Sequence, residues 1–280
     1  MLLFYVRHGD PIYDPDSLTE QGLKQADVLV ARMKRYNPEK IYASSSNRAI
    51  LTAKPTAEAL GKDIEILDWC NEGHAWKELS CEHGNGKRHW AMGKGENIPF
   101  FAAKEVRQLD MDWYKHPVFE RSKLSAEQIA ANDLSGADLS VSVQNGEKTS
   151  YCFDRNGFEA GMQRIGTLTD EFLLSLGFRH DRERFGYTVV EPKEGEARYD
   201  RVALFAHSGF GAGFLSAVLD IPYPIMYTRF CLSHSGVTVI RFEPGLTNTD
   251  LVVPEVLQLS NDSHIFAAGL STAYNNEIMI

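Results

Sequence analysis

Leu2-Leu3-Phe4-Tyr5-Val6-Arg7-His8-Gly9 begins as an apolar run and stops abruptly at an arginine, a histidine and a glycine. Apolar residues without polar alternation read as a strand buried on both faces, here over residues 2–6. Strands of this kind belong to parallel α/β sheets, which bind ligands at the carboxyl ends of their strands. A second such run, Val202-Ala203-Leu204-Phe205-Ala206, ends in His207-Ser208-Gly209. If the two strands run parallel, both histidines arrive at one sheet edge. Glycine lets the backbone approach a bound group, and the helix predicted over 210–218 aims its first N–H groups at an anion.

The chain alternates between these two runs. Thr19 is a good N-cap for a helix marked by Leu23, Ala26, Val30 and Met33 at helical spacing, ending near Asn37-Pro38. Residues 40–43 predict a strand, 49–60 a helix stopped at Gly61, and 64–67 a third strand. This order predicts a three-layer α/β/α sandwich on a mostly parallel, doubly wound sheet. The pattern dissolves after Trp76. Residues 77–150 read as an insertion capping the active edge of a single domain that spans 1–280. Within the insertion, 125–131 predicts a helix and 140–146 a loop or edge strand. Beyond it, 158–176 predicts a long amphipathic helix ending at Gly177. Residues 185–190 and 198–200, flanking Pro192-Lys193-Glu194-Gly195-Glu196, predict an outer hairpin. Residues 236–242 form the last clear strand.

Bulk properties narrow the function classes. With 29 basic and 38 acidic residues the formal charge is −9, which argues against nucleic acid or an anionic membrane as partner. No apolar run approaches the roughly 20 residues of a bilayer span, and residues 1–7 lack a signal peptide's basic region. Four cysteines (Cys70, Cys81, Cys152, Cys231) in 280 residues form no disulfide framework, so a cytoplasmic location is expected.

An anion site must therefore be a local concentration of cations. Arg48, just past the second strand, reaches the same edge as Arg7, His8 and His207. Two arginines and two histidines around one place suit a phosphoryl group. Four blocks in order, residues 2–9, 18–26, 44–53 and 205–209, closely resemble the histidine phosphatase superfamily, the phosphoglycerate mutase-like family. The resemblance covers roughly residues 1–76 and 155–243. It implies a metal-independent phosphatase with no cofactor, acting on a small phosphorylated metabolite through a phosphohistidine. His8 matches the nucleophile; Arg7, Arg48 and His207 match the phosphate pocket. By position Glu72 matches the carboxylic acid that protonates the leaving oxygen, with Asp68 and Glu78 as fallbacks. Ser44 matches a minor hydroxyl contact and Ser208 a backbone N–H donor. A phosphoglycerate mutase shares every one of these residues, and a non-catalytic phospho-ligand binder is a third reading. A homo-oligomer stays open.

Three positions depart from the family pattern. Asp14 stands six residues after His8, where asparagine is common and a carboxylate would repel phosphate. Asp10 is acidic where many members carry Thr, Ser, Gln or Glu, and Ser208 replaces a frequent glycine. Cys70, His74, Cys81, His83 and His89 fall within twenty residues, but their spacings do not match zinc knuckles, so buried thiols and packed histidines explain them better. Lys87-Arg88-His89 beside Trp90 reads equally as a clamp for a second anionic group and as a solvated basic turn. Cys152 and Cys231 read as core. Gly209-Phe210-Gly211-Ala212-Gly213 imitates a nucleotide-binding run but reads better as close packing of a helix on the sheet.

Overall fold

A computed structural model describes residues 1–82, 88–90, 141–144, 147–150, 155–191, 197–244, 250–274 and 278–279. Its central sheet has six strands: β1 (Leu2–Arg7), β2 (Lys40–Ser44), β3 (Ile64–Leu67), β4 (Arg201–Ala206), β5 (Val237–Arg241) and β6 (Glu255–Asn261). Their spatial order is β6-β5-β1-β4-β2-β3. β1 pairs in parallel with β4, in the register Val6 to Phe205 and Arg7 to Ala206, so the two histidines emerge side by side. β4 with β2, and β2 with β3, are parallel as well. On the other side of β1 the direction reverses, and β5 and β6 are each antiparallel to their inner neighbour.

Strand geometry sends alternate side chains to opposite faces, and both faces of this sheet are buried. Leu3, Tyr5, Val202, Leu204 and Ala206 face one core with residues of α3 (Glu72–Leu79), α4 (Arg155–Ser175), α5 (Ser208–Leu219) and α6 (Tyr223–Arg229). Phe4, Val6, Ala203 and Phe205 face a second core with Leu29 and Met33 of α1 (Glu20–Tyr36) and Ala53 and Ala57 of α2 (Asn47–Leu60). The expected three layers are present. α1 is capped as expected, the Thr19 hydroxyl accepting from the Gly22 N–H, and α2 ends at Gly61 in the left-handed conformation.

Several expectations need correction. Residues 11–13 and 16–18 form a small hairpin that is too short to show periodicity. Helical structure continues past Trp76 to Leu79, because Ala75 and Leu79 are core residues and Glu78 pairs with Arg164. The outer hairpin pairs Phe178–Asp181 with Gly186–Val189, turning through residues 182–185, rather than pairing 185–190 with 198–200. The Arg184 side chain, bonded to Asp181, stabilises that nearer turn. Residues past 243 supply β6 and the short helix α7 (Ser263–Ala267). The predicted helix at 125–131 and the Pro192 turn lie outside the described residues, while Val141–Gln144 and Glu147–Ser150 pair as antiparallel strands.

Candidate active site

The site lies where β1 and β4 end. β1 is held from both sides there: the His8 N–H bonds the Ala206 carbonyl, and the Ser235 N–H bonds the His8 carbonyl. Next, Gly9 donates its N–H to the Thr52 hydroxyl of α2 (2.9 Å). Its backbone passes the start of α1 so closely that a Cβ on Gly9 would lie 2.7 Å from the Gly22 carbonyl oxygen. A Cβ on Gly22 would lie 2.2 Å from the Asp10 carbonyl. Two glycines therefore let strand and helix touch, which no larger pair allows.

His8 is buried, and its Nδ1 is 2.7 Å from the Gly9 carbonyl. A carbonyl only accepts, so Nδ1 carries the hydrogen and Nε2 holds the lone pair. Burial pushes its pKa well below the usual histidine range, and His207, Arg7 and Arg48 push the same way. The ring is therefore neutral, as a nucleophile must be.

His207 stands edge-on to His8, with ring centroids 5.2 Å apart. The Tyr5 hydroxyl pins its backbone, accepting from the N–H and donating to the carbonyl. One Arg48 nitrogen lies 3.3 Å from His207 Nδ1. Arginine only donates, so Nδ1 accepts and Nε2 carries the hydrogen, directed at Ser44 Oγ (2.8 Å) and Ser46 Oγ (3.2 Å). Ser44, expected as a minor hydroxyl contact, is fully buried and lies within hydrogen-bond distance of His207. Arg48 is anchored by Asp16 (2.7 Å), which also accepts from the Asn47 N–H at the start of α2. The Nε groups of both Arg7 and Arg48 are buried with no hydrogen-bond partner among the described residues.

Glu72, the first residue of α3, reaches the start of α5. Its two oxygens accept from the Gly209 and Phe210 N–H groups, each at 2.9 Å. This corrects the expectation that those N–H groups are free for an anion: a carboxylate of the protein already occupies them. Burial raises the Glu72 pKa, while the two N–H groups, Arg48 and Arg7 pull it back. Trp90 packs against the same corner, where a Cβ on Gly209 would meet its ring at 2.4 Å and Glu72 at 2.9 Å. Ser208 is half-buried beside it. The fallback acids fit poorly. Asp68 is exposed, and hydrogen bonds from Ser45 and His74 lower its pKa; Glu78 is bound by both ends of Arg164.

Residues 3–117 match the family described as histidine phosphatase superfamily (branch 1). Among solved structures it is similar to a mycobacterial hydrolase (15% identity, TM-score 0.50, covering 92% of this chain and 98% of that one), which shows the fold. A phosphoserine phosphatase mutant from Entamoeba histolytica (15%, TM-score 0.48, 94% and 98%) is also similar. So is a mycobacterial glucosyl-3-phosphoglycerate phosphatase (17%, 0.48, 93% and 99%). No curated protein sequence matches.

The site also contains groups that carry no sequence signal. His234, in the loop before β5, is buried with its ring 5.9 Å from that of His8. Asp16, at the end of the small hairpin, anchors Arg48. Neither sits in a recognisable motif; only the run Ser233-His234-Ser235-Gly236 ahead of a strand resembles the two turns that were recognised. Asp14 is exposed, and Asp10 takes the Thr19 hydroxyl (2.6 Å). Among the described residues no group of His, Cys, Asp or Glu is placed to hold a metal ion. Cys70 is core and His74 pairs with Asp68 at the surface. The side chains of Cys81 and His89, and residues His83, Lys87 and Cys152, lie outside the described residues. Cys231 is half-buried rather than core. No helix among the described residues is long and apolar enough to cross a membrane.

Proposed function

We propose that this chain is a phosphatase that hydrolyses a small phosphorylated metabolite through a phosphohistidine on His8. The observation that carries the reading is the pairing of an available His8 Nε2 with two buried guanidinium nitrogens that lack partners among the described residues. Buried donors without acceptors are costly, and a dianionic phosphoryl group supplies the missing acceptors.

In the first step His8 Nε2 attacks phosphorus as the bond to the leaving oxygen breaks. Arg7 and Arg48 hold the equatorial oxygens, where charge accumulates. Glu72, whose carboxyl is easier to protonate because burial raises its pKa, gives its proton to the leaving oxygen. In the second step the Glu72 carboxylate takes a proton from water, which attacks the phosphohistidine and restores neutral His8. His207, neutral before substrate arrives because of burial, Arg48 and Arg7, gains a dianion as neighbour when phosphate binds. The dianion favours a proton on the ring, which adds positive charge beside the phosphate.

Hydrolysis of p-nitrophenyl phosphate in the presence of a metal chelator tests the reading. The wild type is expected to release phosphate, and His8→Ala to lose at least about 10³-fold in kcat/KM. Full activity in His8→Ala would overturn the nucleophile assignment. Interconversion of 2- and 3-phosphoglycerate without net phosphate release would favour a mutase instead.

A further inference from the structure

We propose that His234 is a positioning residue that aims Arg7 at the phosphoryl group, with Asp10 selecting the tautomer that makes this possible. The inference rests on the phosphatase reading for its catalytic meaning, but its geometry stands without it. His234 lies on neither of the two strands that end in histidine and matches none of the four blocks that revealed the family.

Arg7 is gripped from the side of β5. One terminal nitrogen donates to the Leu232 carbonyl (2.5 Å) and the other contacts His234 Nε2 at 2.7 Å. Its third nitrogen, Nε, has no hydrogen-bond partner among the described residues. Two fixed bonds on a planar guanidinium also fix the third donor direction, so His234 and Leu232 together decide where Nε points. Because arginine cannot accept, His234 must offer the lone pair of Nε2 and carry its hydrogen on Nδ1. A histidine with the opposite tautomer, or with both nitrogens protonated, would turn an N–H against the guanidinium.

Asp10 answers the question of what holds that tautomer. Its Oδ1 lies 3.4 Å from His234 Nδ1, an electrostatic contact rather than a well-directed hydrogen bond. The carboxylate is itself held: Oδ2 takes the Thr19 hydroxyl at 2.6 Å, and the Asp10 N–H bonds the Gln25 side chain at 2.8 Å. The arrangement runs Thr19, Asp10, His234, Arg7, with the His234 ring 5.9 Å from that of His8 and tilted 30° to it. Burial and Arg7 lower the His234 pKa to about 3, so the acceptor persists through the neutral range. An acidic residue two places after the nucleophile thus has a use: it faces an imidazole and not the phosphate.

The test measures binding, kinetics and tautomer separately. Inorganic phosphate is titrated calorimetrically into wild type, His234→Phe and His234→Gln, and p-nitrophenyl phosphate kinetics are recorded on the same samples. His234→Phe keeps a ring but removes the acceptor. It should weaken phosphate binding and raise KM about tenfold, with kcat changed less than about threefold. His234→Gln, whose amide oxygen accepts from Arg7, should recover all but about threefold. Long-range ¹⁵N–¹H spectra of wild type should show His234 protonated on Nδ1 alone, and Asp10→Ala should mix the two tautomers. Wild-type phosphate affinity in folded His234→Phe would overturn the proposal. Equal losses in the Phe and Gln variants would also overturn it, since they would mark lost packing and not a lost acceptor. An Nε2–H tautomer in wild type would overturn it whether or not either variant folds. Wild type that binds phosphate without hydrolysing any ester would sink the phosphatase reading and leave this test standing; wild type that binds no phosphate would sink both.

Discussion

His8 has one ring nitrogen committed to its own chain and the other left carrying the lone pair, and the division follows from a single carbonyl one residue away. That economy explains why Arg7-His8-Gly9 was legible from sequence while its supports were not. His8, Arg7 and Arg48 sit at strand and helix ends whose periodicity points to them; His234 and Asp16 sit in loops whose residues show no period. Asp14 looked like the anomaly near the nucleophile, whereas Asp10 is the acidic residue that faces the site. Glu72 was singled out by its position after β3, yet nothing in its spacing signalled that it caps α5. Because its carboxyl must be protonated to act, the rate should fall as pH rises through its raised pKa. His8, held neutral, should cause no loss of rate until well below the ordinary histidine value of about 6.5. Glu72→Gln is expected to lower kcat by about 10²–10⁴ for an alkyl phosphate and markedly less for p-nitrophenyl phosphate, whose leaving group departs unprotonated. Stopped assays of phosphate release from the two esters, run across pH, check both statements.

Among the elements, the strands buried on both faces were the easiest to recognise, since β1 and β4 appear as unbroken apolar runs. The direction of β5 was not, because parallel and antiparallel neighbours bury the same residues. A second group of charges, remote from the nucleophile, ties three elements together. His180 of the strand Phe178–Asp181 bonds Asp170 of α4 through Nδ1 (2.8 Å) and Asp220, just past α5, through Nε2 (3.0 Å). Its ring stacks on Tyr187 at 4.4 Å. Burial lowers its pKa, but the hydrogen bonds to Asp170 and Asp220 outweigh that and hold it at about 9. A raised pKa means the folded state binds the proton more tightly than the unfolded chain. The contribution to stability is therefore complete below about pH 6.5 and disappears as pH rises through about 9. Thermal melts of wild type and His180→Phe across that range should show the wild type's advantage largest at the acid end and closing toward pH 10. A constant gap would argue that His180 acts by packing alone.

Across the whole molecule, the residues beyond the last predicted strand back the site through hydrogen bonds. Ser260 Oγ receives the Ser233 N–H (2.6 Å), the Ala273 carbonyl receives the His234 N–H (3.1 Å), and His264 lies 3.2 Å from the Ser235 hydroxyl. Arg32 of α1 fastens the same tail through the Asn261 carbonyl and side chain. The loop behind Arg7 is thus backed by a segment that carries no family motif and alternates only weakly, which is why it went unread. Ending the chain after Glu243 should lower the melting temperature by more than about 5 °C and weaken phosphate binding at least tenfold, measured by calorimetry. Unchanged affinity in the shortened chain would show that β5 holds the loop unaided. The contact between Gly9 and Gly22 has a consequence for anyone transplanting this chemistry. A tripeptide copied to the end of another strand would bring the nucleophile without the bare helical turn that makes room for its neighbour. The smallest portable unit runs from Leu2 through Gly22, so a screen that randomises both glycine positions should return the parent pair.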